Sequence, residues 1–208
     1  MRPPLLITGF GPFPGVPSNP SAALARRVAA LPRLRSGLGA GPRVVILSTT
    51  YDALDRQLGP ALQEKPGAVL MIGVASRARH VRVEIRARNR ASRLFPDASG
   101  RVAGRLALEN DGPAERRSAL AIRALASLRR GGVAAVPSRD AGRYLCNAAY
   151  YRTLREDVPV LFLHIPHVAR PDRPKAPGRR RRQAPIDTLA EAVGMVADLL
   201  LRCARTGL

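Results

Sequence analysis

Ala68-Val69-Leu70-Met71-Ile72 is an unbroken apolar run closed by Gly73. A run this short, bounded by a turn former, suits a strand buried on both faces, because a half-exposed strand would alternate apolar and polar residues instead. The same grammar recurs on either side. Leu5-Leu6-Ile7-Thr8 ends at Gly9, Val44-Val45-Ile46-Leu47 ends at Ser48-Thr49-Thr50, and Val133 to Val136 and Val160 to Ile165 supply two more runs. Between these runs lie segments with helical spacing. Strands that alternate with helices and are apolar throughout imply an α/β three-layer sandwich: a mainly parallel central sheet with helices on both faces.

The helical segments carry their own signals. Asn19 can cap a helix whose first residue is Pro20, with Leu24, Val28 and Leu31 following at helical spacing. Asp52 to Leu62 has Leu54, Leu58 and Leu62 at successive i+4 positions. Pro113 to Arg129 reads as one helix with Leu120, Ala124, Leu125 and Leu128 on its apolar stripe, and Asn147 to Leu154 as another. Ile186 to Arg205 closes the chain as an amphipathic helix, with Leu189, Val193, Val196, Leu200 and Cys203 on the buried side. Arg33 to Pro42 reads as a Gly/Pro-rich connection and Ser92 to Gly112 as irregular, punctuated by Pro96-Asp97 and Asn110-Asp111-Gly112. Val81, Val83 and Ile85 alternate with Arg82, Glu84 and Arg86, the pattern of a half-buried strand whose polar face carries Glu84 between two arginines.

At 208 residues the chain suits a single domain spanning 1–208 with a substantial core. The net charge of +20 is the unusual global feature, carried almost wholly by arginine, since Lys65 and Lys175 are the two lysines. Charge of this sign can attract nucleic acid. Aromatic residues make up 4% of the chain and Trp is absent, so stacking platforms are scarce, which argues against a nucleic-acid partner. Met1 to Pro4 lead into an apolar run too short for a secretory signal, and no run is long enough to cross a bilayer. Cys146 and Cys203 form no CxxC and no disulfide framework, so a reducing cytoplasm is the expected setting.

Cys146 sits in Asp140-Ala-Gly-Arg-Tyr-Leu-Cys146-Asn147, where Gly142 permits a turn and the cysteine opens a helix. Unpaired N–H groups and the helix dipole at such a position favour a thiolate. Taken alone, a lone cysteine is more often a small buried hydrophobe. His164 changes the weighing, because it lies near the carboxyl end of a strand, where open α/β sheets bind ligands. A nucleophilic cysteine and its histidine are expected far apart in sequence and adjacent in space. His167, beyond Pro166, is the alternative base. Neither histidine is accompanied by a metal-ligand pattern, so no metal and no cofactor is expected. Arg179 to Arg182, among several prolines, reads as a basic loop that is either solvated or an anion patch.

With these pieces in place the chain resembles the pyroglutamyl-peptidase I (pyrrolidone-carboxylate peptidase) family of cysteine peptidases, over nearly its whole length. The resemblance rests on Thr8-Gly9-Phe10-x-Pro12-Phe13-x-Gly15 with Asn19-Pro20-Ser21, on Glu84 followed by Asn89, on Ala141-Gly142 with Cys146-Asn147, and on His164-x-Pro166. It implies removal of an N-terminal pyroglutamate from blocked peptides by a Cys–His–Glu triad. Cys146 would be the nucleophile, His164 the base and Glu84 the group that orients the imidazole. It also implies substrate contacts from the aromatic pair Phe10 and Phe13 and from Asn19, Thr49, Tyr144 and Leu145, and a homo-tetramer.

The chain departs from the family pattern in two places. Val74-Ala75-Ser76-Arg77-Ala78 stands where the family has a Gln and a Gly-Gly-Arg run. Leu94 stands where the family has an arginine, with Arg93 one place away. These departures leave open a relative that cleaves another N-acyl or lactam-capped amide. The charge and Arg179 to Arg182 leave open a non-catalytic basic homologue.

Overall fold

The computed structural model describes residues 4–13, 17–35, 41–166 and 185–207. Strand β1 (Leu6–Phe10) pairs in parallel with β2 (Arg43–Leu47) on one side and β3 (Val69–Val74) on the other. Next to β3 comes β8 (Val160–Ile165), also parallel. Beyond it β4 (Val81–Glu84) runs antiparallel to β8, and β7 (Ala135–Ser138) pairs in parallel with β4 at the edge. The order is therefore β2-β1-β3-β8-β4-β7, with four strands pointing one way and two the other. The sheet is mainly parallel, as the apolar runs imply.

Helices cover both faces, because successive strand residues point to opposite sides and both sides are apolar. On one face α1 (Pro20–Ala29), α4 (Ala121–Arg130) and α6 (Ile186–Thr206) bury Leu24, Val28, Leu128, Val196 and Leu200 against Ile7, Leu70, Leu161 and Leu163. On the other, α5 (Leu145–Thr153) and the helical segment before β3 bury Leu145, Tyr150, Leu58 and Leu62 against Leu6, Met71 and Phe162. Along β8 this parity puts His164 on the α5 face with Phe162. Cys203 is buried within α6, as its spacing implies.

Local signals hold where the chemistry is short-range. Asn19 caps α1 by accepting from the Ser21 N–H, and Pro20 begins the helix. Pro32–Arg35 forms a short helix, α2, at the start of the expected connection. The expected helix from Asp52 carries a π-helical turn, Leu54–Leu58, before α3 (Gly59–Gln63). Pro60 can neither donate a hydrogen bond nor tolerate the carbonyl four residues back, and a widened turn before it relieves both.

Three expectations need correction. The helix expected from Pro113 begins only at Ala121. Glu115–Arg117 is instead strand β6, paired antiparallel with β5 (Arg86–Arg88) in a separate ribbon. Pairing with a distant strand overrides local helix propensity there, and Glu115 joins both strands through Arg86 and Arg117. Second, β4 is not half-exposed, since it lies between β8 and β7 and Glu84 on its polar side is 0% exposed. Third, α5 starts at Leu145, two residues earlier than its periodicity suggests. His167 and Arg179 to Arg182 lie outside the described residues.

Candidate active site

Cys146 is the second residue of α5. The loop from β7 reaches it through Gly142, whose φ of +86° is left-handed backbone that glycine adopts without strain. The Asp140 carboxylate accepts from the Gly142 N–H and holds that turn. Tyr144 occupies the cap position, and no described side chain caps the helix start. The first N–H groups of α5 therefore stay available to an anion. Cys146 is partly exposed, and its sulfur projects toward the end of β3, where a β-carbon on Gly73 would stand 3.0 Å from Sγ.

His164 and Glu84 come from strands that are remote in sequence and adjacent in the sheet. In the antiparallel β4–β8 ladder Glu84 lies opposite Phe162, two residues before His164, so both side chains rise from the same face. His164 Nδ1 and Glu84 Oε1 are 2.8 Å apart, and the pair is shut away from solvent, with His164 7% exposed. Burial alone would push His164 down. The charge and hydrogen bonding of Cys146, then the hydrogen bond and charge of Glu84, outweigh it and raise the imidazole to about 9. With Nδ1 engaged by Glu84, Nε2 is the ring nitrogen left for Cys146. The Phe162 ring packs against the imidazole with centroids 4.7 Å apart. Tyr150 of α5 donates to the Glu84 carbonyl at 2.9 Å, which ties the cysteine's helix to the glutamate's strand.

The arginines flanking Glu84 in sequence do not pair with it. Arg86 turns to Glu115 and to the Arg139 carbonyl, and Arg82 lies opposite His164 in the ladder. The expectation of a polar-face carboxylate between two arginines therefore gives way to a buried one facing a histidine.

Around this centre the remaining expected residues take different positions. Thr49 donates to the Pro12 carbonyl, which draws the Phe10–Phe13 loop onto the end of β2. Phe13 is partly exposed on that loop, whereas the Phe10 ring is buried against Phe162 at 6.4 Å. Asn19 commits its side chain to the loop, donating to the Gly11 carbonyl and accepting from Ser21 N–H and Oγ–H. Leu145 is buried in the core beneath α5. Tyr144 donates to the Pro96 carbonyl at 3.0 Å and meets Tyr51 edge-on, with ring centroids 6.0 Å apart.

Asp97 organises this wall. Its carboxylate accepts from the N–H groups of Tyr51, Ser99 and Arg101 and from the Ser99 hydroxyl, and Ala98 N–H donates to the Thr49 carbonyl. Burial would raise the carboxyl, but these hydrogen bonds prevail and hold it below the usual range. Leu94 is 83% exposed and so does not fill the site, and Arg93 is exposed beside it.

Sequence reading overlooked Gly73, Tyr51 and the clamp made by Asn147. Asn147, fully buried, accepts from the Arg88 N–H and donates to the carbonyls of Arg88 and Arg90. Asn89 in turn clamps the 108–112 loop through four backbone groups. Asparagine satisfying backbone on both sides is legible only when the partner strand is known. No group of three or more His, Cys, Asp or Glu that could hold a metal comes together among the described residues.

The sequence model of the pyroglutamyl peptidase family matches residues 4–177. This chain belongs to that family. It is similar to the pyrrolidone-carboxylate peptidase of Clavibacter michiganensis, 34% identical over 206 residues that cover 96% of this chain and 93% of the relative. Similarity to the enzyme of that name from Deinococcus radiodurans is 35% over 173 residues, 79% of this chain and 78% of the relative. Among solved structures, the pyrrolidone carboxyl peptidase of Thermus thermophilus superposes with a TM-score of 0.78 at 34% identity, covering 93% of this chain and 98% of its own. The Thermococcus litoralis pyrrolidone carboxyl peptidase gives 0.83 at 25% identity, with coverage of 100% and 97%. Family membership thus extends over the elements that carry Glu84, Cys146 and His164.

Proposed function

We propose that this chain is a cysteine exopeptidase that hydrolyses the amide bond after an N-terminal pyroglutamyl residue. The observation that carries the reading is the contact between the buried side chains of His164 (Nδ1) and Glu84 (Oε1), with Cys146 acting on the same imidazole. The names of its relatives support the substrate.

In this reading Cys146 Sγ, as a thiolate beside protonated His164, attacks the scissile carbonyl carbon. The oxyanion that forms is met by N–H groups at the uncapped start of α5, a contribution of about 3 kcal/mol in comparable sites. His164 then gives its Nε2 proton to the departing amine, the C–N bond breaks, and a thioester remains on Cys146. Water attacks the thioester carbonyl as His164 takes up its proton, the C–S bond breaks, and pyroglutamate leaves with the Cys146 thiolate and protonated His164 restored. Glu84 keeps the imidazole in register and offsets its charge throughout. A neutral lactam suits side chains such as Phe13, Thr49 and Tyr144, whose aromatic faces and few polar groups would replace any ion pair.

Free Cys146 and Cys203 support a reducing, cytoplasmic setting for this chemistry. No helix among the described residues is long and apolar enough to cross a membrane. Self-association, up to the tetramer implied by the resemblance, is part of the same proposal and is supported by the exposed apolar side chains of Leu94, Phe95 and Leu106.

The test is hydrolysis of a pyroglutamyl chromogenic amide by the wild type and by Cys146→Ser. Thiol-dependent release by the wild type alone is expected. Thiol-dependent cleavage of a different capped amide, with the pyroglutamyl one untouched, would overturn the substrate. No hydrolysis of either, with salt-sensitive RNA binding, would overturn the enzyme.

A further inference from the structure

Most of the described arginines stand in water, and five are half-buried: Arg82, Arg86, Arg88, Arg116 and Arg152. Three of these five pair with a carboxylate, Arg86 with Glu115, Arg116 with Glu109 and Arg152 with Asp55. Arg82 and Arg88 make no side-chain hydrogen bond or ion pair among the described residues. Arg88 lies in the separate β5–β6 ribbon, whereas Arg82 stands opposite His164 in the β4–β8 ladder. A cation drawn part-way out of water with no anion beside it is costly, so a guanidinium in this state next to the catalytic histidine invites an anionic ligand.

Opposite residues of neighbouring strands hold their β-carbons about 5 Å apart on one face of the sheet. Arg82, Glu84 and His164 therefore rise from the same face. Glu84 has an oxygen to spare, Oε2, and Arg82 still does not pair with it. Further outward, Val136 of β7 lies opposite Arg82 and is 37% exposed, so this face is open to solvent beyond β4. The strand order lays the site out in sequence. Phe13 and Thr49 follow β1 and β2, Cys146 projects at the end of β3, His164 belongs to β8 and Arg82 to β4.

In the proposed reaction His164 protonates the departing amine. The part of the substrate beyond that amine lies across the scissile bond from the lactam, which is the β4 side. Adjacent strands are about 4.8 Å apart, so Arg82 stands one strand past His164, within reach of the first residue after the bond. The guanidinium fork matches a carboxylate with two parallel N–H donors. The groups that raise the His164 imidazole are Cys146 and Glu84, which leaves Arg82 to binding and not to proton transfer.

We propose that Arg82 is a specificity-determining residue that binds a carboxylate on the leaving side of the substrate. Two sources present that chemistry: the free α-carboxylate of a pyroglutamyl dipeptide, and the side chain of an acidic residue just after the bond. The proposal rests on the peptidase reading of the site. It makes short or acidic pyroglutamyl peptides the better substrates.

The test measures kcat and KM for the wild type, Arg82→Gln and Arg82→Lys on matched pairs of substrates. One pair is pyroglutamyl-alanine and its C-terminal amide, and the other is the amides of pyroglutamyl-glutamate and pyroglutamyl-glutamine. The ratio within each pair is its own control, because a misfolded fraction lowers both members alike. The wild type should favour the charged member of at least one pair by about tenfold in kcat/KM, mainly through KM. Arg82→Gln should bring that ratio close to one, and Arg82→Lys should keep part of it. A preference confined to the first pair identifies the α-carboxylate, and one confined to the second identifies the side chain. Ratios near one in the wild type, or a preference that Arg82→Gln leaves intact, would overturn the inference while the peptidase reading stands. A wild type that cleaves no pyroglutamyl amide would overturn both.

Discussion

Gly73 leaves free the room into which Cys146 projects: a β-carbon at position 73 would lie 3.0 Å from Cys146 Sγ and 2.8 Å from Phe162 Cζ. The last turn of space at the end of β3 is shared by the sulfur and by the aromatic ring that supports His164. Nothing larger than a hydrogen fits there without moving one of them.

Gly73→Ala should therefore lower kcat/KM by about 100-fold or more, since misplacement of a reacting atom by even 1 Å is that costly. Folding should survive at some cost in stability, because the added methyl meets the edge of the buried Phe162 ring as well as the partly exposed sulfur. Circular dichroism and a thermal melt check the fold, and the pyroglutamyl amide checks the activity. Near-normal activity in Gly73→Ala would mean that the sulfur works from some other position.

His164 is raised from 6.5 to about 9, so it binds its proton more tightly in the folded chain than in the unfolded one. The stability this contributes is fully present below pH 6.5 and is lost as pH rises through about 9. If the protonated imidazole is the acid that releases the amine, kcat/KM should fall on the alkaline side near the same value. Glu84→Gln removes one of the groups that raise the imidazole and should move that limb to lower pH. Full pH–rate profiles of both proteins decide this, and an unmoved alkaline limb would separate Glu84 from the titrating group.

Asn147, itself fully buried, satisfies three partly buried backbone groups on the segment that follows β4. Asn147→Ala leaves all three without that partner and should cost roughly 3 kcal/mol of stability, judged from the desolvation of unpaired polar groups. Denaturant unfolding measures it. A loss under 1 kcal/mol would indicate that water replaces the side chain.

The two thiols should separate cleanly by reactivity. Cys146 is partly exposed at a helix start, whereas Cys203 is sealed in α6, with the Arg123 guanidinium 3.3 Å from its sulfur. Iodoacetamide should modify Cys146 and abolish hydrolysis, and Cys203→Ser should retain activity and the same sensitivity. Mass mapping of the alkylated protein identifies the site.

Much of the architecture could be read before any coordinates. Apolar runs such as Ala68 to Ile72 and Val160 to Ile165 are strands because no other short element buries every residue, and Asn19-Pro20 begins a helix by capping chemistry confined to three residues. The identity of Cys146, Glu84 and His164 as the residues to watch also came from pattern and resemblance. Glu115 to Arg117 went the other way, because its helical propensity is local while its strand partner, β5, lies almost thirty residues earlier.

What the sequence by itself determined is thus the set of elements and the residue types available for chemistry. Only the tertiary structure decided that β4 runs antiparallel beside β8, and that single pairing buries Glu84 and brings it to His164. It likewise decided that Gly73 makes room for Cys146 and that Arg82 stands opposite His164. Period-two alternation tells which residues share a face, but not which strand lies alongside or in which direction. That choice is made by packing across the whole sheet, where contacts between distant segments outweigh the preferences of any one of them.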